Sequence, residues 1–465
     1  MKSEELGASL TEQRAREIFR MGEEAVVFAL LSQSVALGVK KGTEKPAPST
    51  PSGSLAPYEK GTTQKKRGKR PGRKCGHEGV RRPRPDRIDE TKIHRLKSCP
   101  DCGGRLNRCD ETRTRYTEDI PQDIKPVVTE HTIHRDWCPG CQKHVEPTIT
   151  DALPRSQIGN RVLVLTAWLH YGLGTTTSQI VEIFNGHLQM PLTPGGLVQM
   201  WHRLAEIFNA WYEQIQQEAL ESAVLHADET GWRVNGKTHW LWCFTNPELT
   251  YYMVDRSRGS PALQKFFIEA FEGTLVSDFW GAYNAVHTDS RQMCLVHLLR
   301  DLEYVEQYRT LDKDWSAFAK KLRRLIHDAM RLSAHPVADR DSRRQRLNRR
   351  LQGLIDTNWK HLEARRLIKR LRRHSNDLFT FLDYENVPSN NNHAERAIRP
   401  AVIIRKNSQS NRSTRGARTQ SILMSVYRTL KQRGHQPMNA IIEALQTQLR
   451  TSILPSLPAN LTPDG

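Results

Sequence analysis

The sequence predicts a mixed α/β fold in its carboxy-terminal half, preceded by helical segments and a small, β-rich, cysteine-containing domain. Apolar runs with an alternating period of two indicate strands at 223–228, 239–245, 249–255 and 273–278. Beyond residue 296 the pattern becomes helical for most of about 90 residues. Six of the eight Cys fall between Cys75 and Cys141, which in a reducing compartment favours metal binding over disulfides.

Length and charge limit the function classes. A chain of 465 residues is too long for one ordinary core and suggests about three domains. The formal net charge of +19 predicts an anionic partner, although ribosomal or membrane-surface binding would explain the same charge. No apolar run approaches the ~20 residues that span a bilayer, and the first residues lack an apolar signal region. We therefore expect a cytoplasmic protein with no membrane partner.

The amino-terminal part reads as a helix followed by a basic linker. An apolar stripe predicts an amino-terminal helix within 1–39. Residues 40–74 are rich in Gly, Pro, Ser and Lys and indicate a flexible linker. Its basic end includes Lys69, Arg70 and Arg73, which we expect to contact DNA phosphates or a minor groove. The alternative is a solvated linker.

Two Cys-x-x-Cys pairs predict a zinc site. Cys99 and Cys102 form the first pair, and Cys138 and Cys141 follow after 35 intervening residues. Each pair turns two thiolates toward one ion, and two pairs complete a tetrahedral Cys₄ site. We predict a structural Zn²⁺ in a zinc-ribbon-like, DNA-binding domain at 75–150, and no catalytic zinc. Whether Cys75, His77 and Cys109 also bind metal stays open.

The rest of the chain divides by its periodicity. We predict a helical DNA-binding or connecting region at 151–222 and an α/β domain at 223–450, with a helical insertion at about 298–388. A disordered tail is expected at 451–465. Asn235-Gly236 predicts a hairpin turn between the first two strands.

Three acidic residues stand in informative contexts. Asp228 and Asp278 each follow an apolar run and are expected at strand ends, while Glu395 lies at the start of a predicted helix. Side chains at strand ends lie at the rim of a sheet, so these carboxylates could converge within the ~3.5–4 Å spacing of two-metal sites. Hard oxygen ligands favour Mg²⁺ or Mn²⁺. The pattern indicates phosphoryl transfer on nucleic acid, with separate surface acids as the alternative.

Residues next to these acids receive separate predictions. Glu229 adjoins Asp228 but faces the other side of a strand, so it is not expected to be a ligand. Asn391 or Asn392 is expected to cap the Glu395 helix.

Three basic side chains are candidate DNA contacts near the acids. His297 is predicted to contact a DNA phosphate or a flipped base, and a satisfied interior histidine is the alternative. Arg396 and Arg399 follow Glu395 within one turn, with Arg399 at i+4 and hence on the same face. They could neutralise a scissile phosphate or pair with surface acids.

One helical stretch is unusually basic. Residues 340–373 contain thirteen Lys or Arg against three acids. Self-repulsion opposes such a cluster on a merely solvated face, so a surface that follows DNA is favoured. Trp359, within it, could stack on a base or pack in a core.

Three segments resemble the signatures of the insertion sequence sixty-six family of DDE transposases. They are 226–234 (HADETGWRV), 277–284 (SDFWGAYN) and 391–400 (NNHAERAIRP), the last followed by RKN at 405–407. The likeness runs from about residue 65 to 450. Phe279-Trp280 departs from the Gly-Tyr that usually follows the second acid, which puts fine specificity in doubt but removes no carboxylate.

The resemblance implies a ribonuclease-H-like core with a helical insertion before the glutamate, in which Asp228, Asp278 and Glu395 bind the metal ions. It also implies a zinc-finger domain, binding to terminal inverted repeats and Mg²⁺-dependent strand cleavage and transfer. The expected partners are double-stranded DNA of the transposon ends and target, a second copy of the chain, and accessory proteins of the same element. A binding-only regulator and a nuclease that cuts without joining are the competing interpretations.

Overall fold

The structure is a computed structural model that describes residues 84–107, 113–121, 123–309, 312–336 and 340–461. Several predicted features lie outside the described residues, so those expectations stay predictions: the amino-terminal helix, the basic linker with Lys69, Arg70 and Arg73, and the side chains of Cys75, His77 and Cys109.

The described residues fall into two compact units. The smaller comprises described parts of 84–130 together with 183–191, and the larger comprises 131–182 and the described parts of 192–461. The larger unit begins with a short antiparallel hairpin of β1 (Asp136–Cys138) and β2 (Lys143–Val145).

Between residues 151 and 222, where sequence periodicity predicts a helical region, the structure has four α-helices before the main sheet. They are α1 (Asn160–Ala167), α2 (Thr177–His187), α3 (Pro194–Ile207) and α4 (Asn209–Leu220). A π-helical turn at Trp168–Gly172 directly continues α1. The side chain of Thr193 caps α3 by accepting a hydrogen bond from the Gly196 N–H.

A five-stranded mixed sheet confirms the predicted α/β class. Its strands are β3 (Val224–Val234), β4 (Lys237–Thr245), β5 (Thr250–Asp255), β6 (Phe271–Ser277) and β7 (Thr288–Met293). The spatial order is β5-β4-β3-β6-β7, with β3, β4 and β5 antiparallel and with β6 parallel to both β3 and β7. Helix α5 (Ser260–Phe266) connects β5 to β6.

Two local features fix the register around β3. Asn235 and Gly236 both have positive φ, as the tight turn between β3 and β4 requires. Gly273 lets β6 approach the start of β3, because an added Cβ would lie 2.6 Å from the Ser222 carbonyl oxygen. The approach of β6 to β3 places the ends of these two parallel strands side by side.

Helices follow the sheet in two groups. The first is α6 (Leu295–Tyr308), α7 (Lys313–Leu332), α8 (Asp341–Asp356) and α9 (Leu362–Arg373), and the second is α10 (Asn392–Ser408), α11 (Thr414–Gln432) and α12 (Pro437–Thr451). The first group buries its own apolar cluster, which includes Trp315, Phe318 and Trp359. In the second group, α10 packs on β3 and β4, and α11 packs on β5. No helix in the described ranges is long and apolar enough to cross a membrane.

Two expectations about segment ends are wrong. Asp228 does not end its strand, because antiparallel pairing with β4 carries β3 on to Val234. The segment from residue 451 is not a disordered tail as far as residue 461: Leu457 is buried, and the Pro455 carbonyl accepts a hydrogen bond from the Trp211 indole at 2.6 Å.

Candidate active site

Strand register brings two of the candidate carboxylates together. His226 of β3 pairs with Val276 of the parallel β6. Asp228 comes two residues after His226, within β3, and Asp278 comes two residues after Val276, just past the end of β6. Neighbouring strands lie about 4.8 Å apart, so both carboxylates leave the sheet at the same edge.

Electrostatics show that the third candidate is near the same place. Burial raises the pKa of Asp228 well above its usual value, and the negative charges of Glu229, Asp278 and Glu395 raise it further. A hydrogen bond from the Glu229 backbone N–H to Asp228 Oδ1, at 2.8 Å, acts in the other direction and lowers the pKa. Mutual repulsion among these carboxylates would be relieved by a bound cation.

A buried asparagine ties the Glu395 helix to the strand that carries Asp228. Asn391 Nδ2 donates to the Ala227 carbonyl at 2.7 Å, and Asn391 Oδ1 accepts from His226 Nδ1 at 3.0 Å. The Asn391 backbone N–H donates to Cys294 Sγ at 3.2 Å. These bonds fix the start of α10 beside β3, one turn ahead of Glu395.

The side chain of Asn391 therefore does not cap its helix. Asn391 occupies the N-cap position, but its side chain makes no capping hydrogen bond. Instead, Asn390 Oδ1 accepts from the Asn392 N–H at 3.0 Å. The capping prediction for Asn391 or Asn392 is wrong because β3 engages the Asn391 amide.

Glu395 has a partner that the sequence analysis missed. Arg300 of α6 donates to both Glu395 oxygens, at 2.7 and 3.0 Å. Burial opposes ionisation of Glu395, but hydrogen bonding and charge from Arg300, with the charge of Arg399, lower its pKa below the usual value. Arg300 lies one turn after His297 on α6, and this i+3 spacing is the only sequence signal that could have identified it.

His297 lies beside Glu395. Its Nε2 is 4.0 Å from Glu395 Oε1, and its buried Nδ1 has no hydrogen-bond partner among the described residues. Burial lowers the pKa of His297, which favours the neutral ring. His297 is thus not a fully satisfied interior histidine.

The two arginines after Glu395 point to different neighbours. Arg396 and Arg399 are both exposed. The charge of Arg399 acts on Glu395, whereas that of Arg396 acts on His393. The i+4 relation therefore places Arg399 near the carboxylates, and DNA contact by either arginine stays a prediction.

Beside Asp278 and His297 lies a cavity of about 350 Å³. Its lining carries five cations: Arg258, Arg300, Lys369, Arg370 and Arg373. Asp278 and Asp301 are its two acids, and Asp301 is itself paired with Arg370. The cavity is therefore an electropositive space next to a carboxylate.

Each Cys-x-x-Cys pair forms a compact turn. In the first, the Gly103 N–H donates to the Cys99 carbonyl at 2.8 Å, and hydrogen bonds from the Cys102 and Asp101 backbones lower the pKa of Cys99. Amide donors to sulfur favour the thiolate, the form that binds zinc.

The second pair stands at the end of β1. The Cys141 N–H donates to Cys138 Sγ at 3.4 Å, and this contact lowers the pKa of Cys138. All four thiols, Cys99, Cys102, Cys138 and Cys141, are free of disulfides. The donor chemistry of both pairs fits zinc.

In the part of the chain that the structure describes, no three His, Cys, Asp or Glu side chains already surround a single point that could hold a metal ion. At the carboxylates, both oxygens of Glu395 are instead engaged by Arg300.

Comparison with protein-family models identifies the family of this chain. The model of the Transposase IS66 family matches residues 155–419, more than half of the chain. The chain belongs to the IS66 family of transposases. Residues 97–142 match the zinc-finger binding domain of transposase IS66, which covers both cysteine pairs. A comparison with curated proteins found no match.

In this IS66 transposase, the basic run at 340–373 divides into two classes. Some of its cations serve the fold: Arg344 pairs with Asp383, Arg350 with Asp328, Arg366 with Glu363 and Arg370 with Asp301, while buried Arg340 donates to backbone carbonyls. The others are exposed on α8, α9 and the turn between them: Arg343, Arg346, Arg349, Lys360, Arg365, Lys369, Arg372 and Arg373. Trp359 is buried against Phe318, so it packs in the core and does not stack on a base.

Proposed function

We propose that this protein is an active DDE transposase, which binds the terminal inverted repeats of a mobile element and catalyses Mg²⁺-dependent DNA cleavage and strand transfer. The observation that carries the proposal is the shared strand edge of Asp228 and Asp278, with Glu395 held within electrostatic range. Family membership supplies the substrate class. The sheet, with three antiparallel strands followed by two parallel ones and an acid on β3 and after β6, supports a ribonuclease-H-like core.

Asp228, Asp278 and Glu395 are the residues that would hold divalent ions, Mg²⁺ or Mn²⁺. When bound, a pair of such ions lowers the pKa of a water or a DNA 3′-hydroxyl and stabilises the leaving oxygen. Burial and three acidic neighbours raise the pKa of Asp228, and a bound cation would stabilise its ionised form, which fits this role. Glu395 would exchange its ion pair with Arg300 for a metal ligand role.

The cationic cavity would bind the DNA backbone beside these carboxylates. Lys369 and Arg373 are exposed on α9 and line the cavity, so their charges are available to phosphates. His297 lines the same space, so its ring would lie beside a bound DNA backbone. Backbone contacts of this kind position the duplex without reading its sequence.

Recognition of the transposon ends is assigned to the amino-terminal side. We propose that Cys99, Cys102, Cys138 and Cys141 bind one structural Zn²⁺ and that this zinc-ribbon-like domain, at 75–150, presents basic loops to the inverted repeats. The basic linker at 40–74 and the helices at 151–222 would extend the DNA-binding surface to the catalytic domain at 223–450.

Transposition joins both ends of one element to a target, so we also propose a homo-oligomeric complex that holds the two ends together. Accessory proteins of the same element are further expected partners.

A strand-transfer assay tests the proposal. Labelled repeat ends, target DNA and Mg²⁺ should give joined product with the wild-type protein. Asp228→Asn and Asp278→Asn should bind the ends and yield no joined product, while Asp289→Asn, which alters an exposed acid on β7, should match wild type. Full activity of Asp228→Asn would refute the catalytic assignment.

Two other results of the same assay would identify the competing functions. Binding of the ends without cleavage by the wild-type protein would indicate a DNA-binding regulator. Cleavage without joined product would indicate a nuclease.

A further inference from the structure

Two tryptophans enclose the guanidinium of Arg258. Its central carbon lies 3.9 Å from the centre of the Trp280 ring and 4.5 Å from that of Trp240. The Trp280 indole N–H also donates to the Arg258 carbonyl at 3.0 Å. Trp280 is thus attached to Arg258 through both its ring face and its ring nitrogen.

A buried carboxylate fixes Arg258 in turn. Glu229 Oε1 accepts from Arg258 Nε and Nη2, at 3.1 and 2.9 Å. Glu229 Oε2 accepts from the buried Tyr283 hydroxyl at 2.7 Å. Glu229 is only 7% exposed, so the plane of the guanidinium is set by a side chain with little freedom to move.

Trp280 connects Arg258 to the candidate metal ligand Asp278. The Trp280 backbone N–H donates to Asp278 Oδ1 at 2.8 Å. The Trp280 peptide group thus connects the indole to one oxygen of the Asp278 carboxylate.

Phe279 holds the same short loop from another direction. Its ring packs edge-on against His374, with ring centres 5.6 Å apart, and lies 5.1 Å from the guanidinium carbon of Arg370. Phe279 and Trp280 therefore both anchor the loop after Asp278 through aromatic contacts.

We propose that Arg258 is a positioning residue for divalent-ion binding: held by Glu229, it sets the Asp278 carboxylate through Trp280. The inference rests on the proposed function, in which Asp278 is a metal ligand. Partners in the second shell of a metal site orient the ligands, and their loss typically weakens metal affinity by about 10–100-fold. Arg258 also lines the cationic cavity, so a direct contact with DNA is the competing role.

The test measures Mn²⁺ binding and DNA-end binding separately on the full, zinc-saturated chain, by titration calorimetry and by fluorescence anisotropy. Arg258→Lys keeps a charge opposite Glu229 but loses the flat stacking surface. Trp280→Ala removes the link and Trp280→Phe restores a ring. Arg256→Ala is the matched control, because it removes an exposed arginine two positions away.

Arg258→Lys and Trp280→Ala should weaken Mn²⁺ binding by about tenfold with unchanged affinity for DNA ends. Trp280→Phe should recover most of the Mn²⁺ affinity, and Arg256→Ala should match wild type. Weaker DNA binding at unchanged Mn²⁺ affinity would make Arg258 a DNA contact and overturn the inference. Unchanged binding of both ligands would overturn it as well.

Asp278→Asn separates this inference from the proposed function. Loss of Mn²⁺ binding in Asp278→Asn, without any effect of Arg258→Lys, would overturn the positioning role alone. Wild-type Mn²⁺ affinity in Asp278→Asn would overturn the proposed metal ligand and the positioning role together.

Discussion

Replacing Asn391 with alanine tests how the Glu395 helix is joined to the catalytic strand. The substitution removes the amide that accepts from His226 Nδ1 and donates to the Ala227 carbonyl. Burial lowers the pKa of His226 to about 4, so its ring is neutral at pH 7 and keeps an N–H that needs an acceptor. Asn391 is 1% exposed, and water cannot readily replace its amide.

The expected cost follows from the two groups left behind. A buried donor or acceptor without its partner costs about 1–3 kcal/mol, so the His226 N–H and the Ala227 carbonyl together cost about 2–6 kcal/mol. This is a large part of the roughly 5–15 kcal/mol that stabilises an ordinary protein. Asn392→Ala alters a half-buried neighbour whose backbone contact survives, so it should change stability by less than about 0.5 kcal/mol.

Urea unfolding at pH 7, with both variants saturated with zinc to the same extent, measures the stability of each. Asn391→Ala should lower the unfolding midpoint strongly, and strand transfer should fall further than the folded fraction because Glu395 loses its position. Equal midpoints for Asn391→Ala and Asn392→Ala would refute the account of how α10 is held on β3.

Three further predictions concern metal and DNA. Arg300→Gln should tighten Mn²⁺ binding about fivefold by calorimetry, because Glu395 loses a competing ion pair of about 1 kcal/mol; weaker binding would contradict this. Chelation should release about one zinc per chain and remove hydrogen-exchange protection at 97–142, while the five-stranded sheet stays protected. Cys138→Ser should have the same effect. Intact protection at 97–142 in the metal-free protein would argue against the zinc site. Replacing Lys369 and Arg373 with glutamine should reduce the slope of log affinity for DNA against log salt by about 1.8, since each phosphate contact contributes about 0.9; an unchanged slope would exclude both contacts.

Local patterns were sufficient for much of the architecture. Alternating apolar residues predicted four of the five strands, and Asn235-Gly236 predicted the turn between β3 and β4. They did not predict where β3 ends, because Asp228, Glu229 and Thr230 interrupt its apolar pattern and are held as a strand by pairing with β4. Strand length here depends on a partner and not on local propensity.

Local sequence patterns were also insufficient to predict the surroundings of the candidate site. The acids could be selected from their sequence contexts, but their environment is formed by residues far away in the chain. Arg300 pairs with Glu395 from 95 positions earlier, and Asn391 bonds to Ala227 from 164 positions away. An asparagine before a helix usually caps it, so nothing local indicates that the Asn391 amide would be engaged by a strand.

The central claim is that Asp228, Asp278 and Glu395 jointly bind a pair of divalent ions. A crystal structure with Mn²⁺ and a DNA end, with the ions located by anomalous scattering, tests it most directly. We predict two peaks about 3.5–4 Å apart at these carboxylates, with Glu395 released from Arg300. Mn²⁺ bound elsewhere, with the pair between Glu395 and Arg300 intact, would contradict the account.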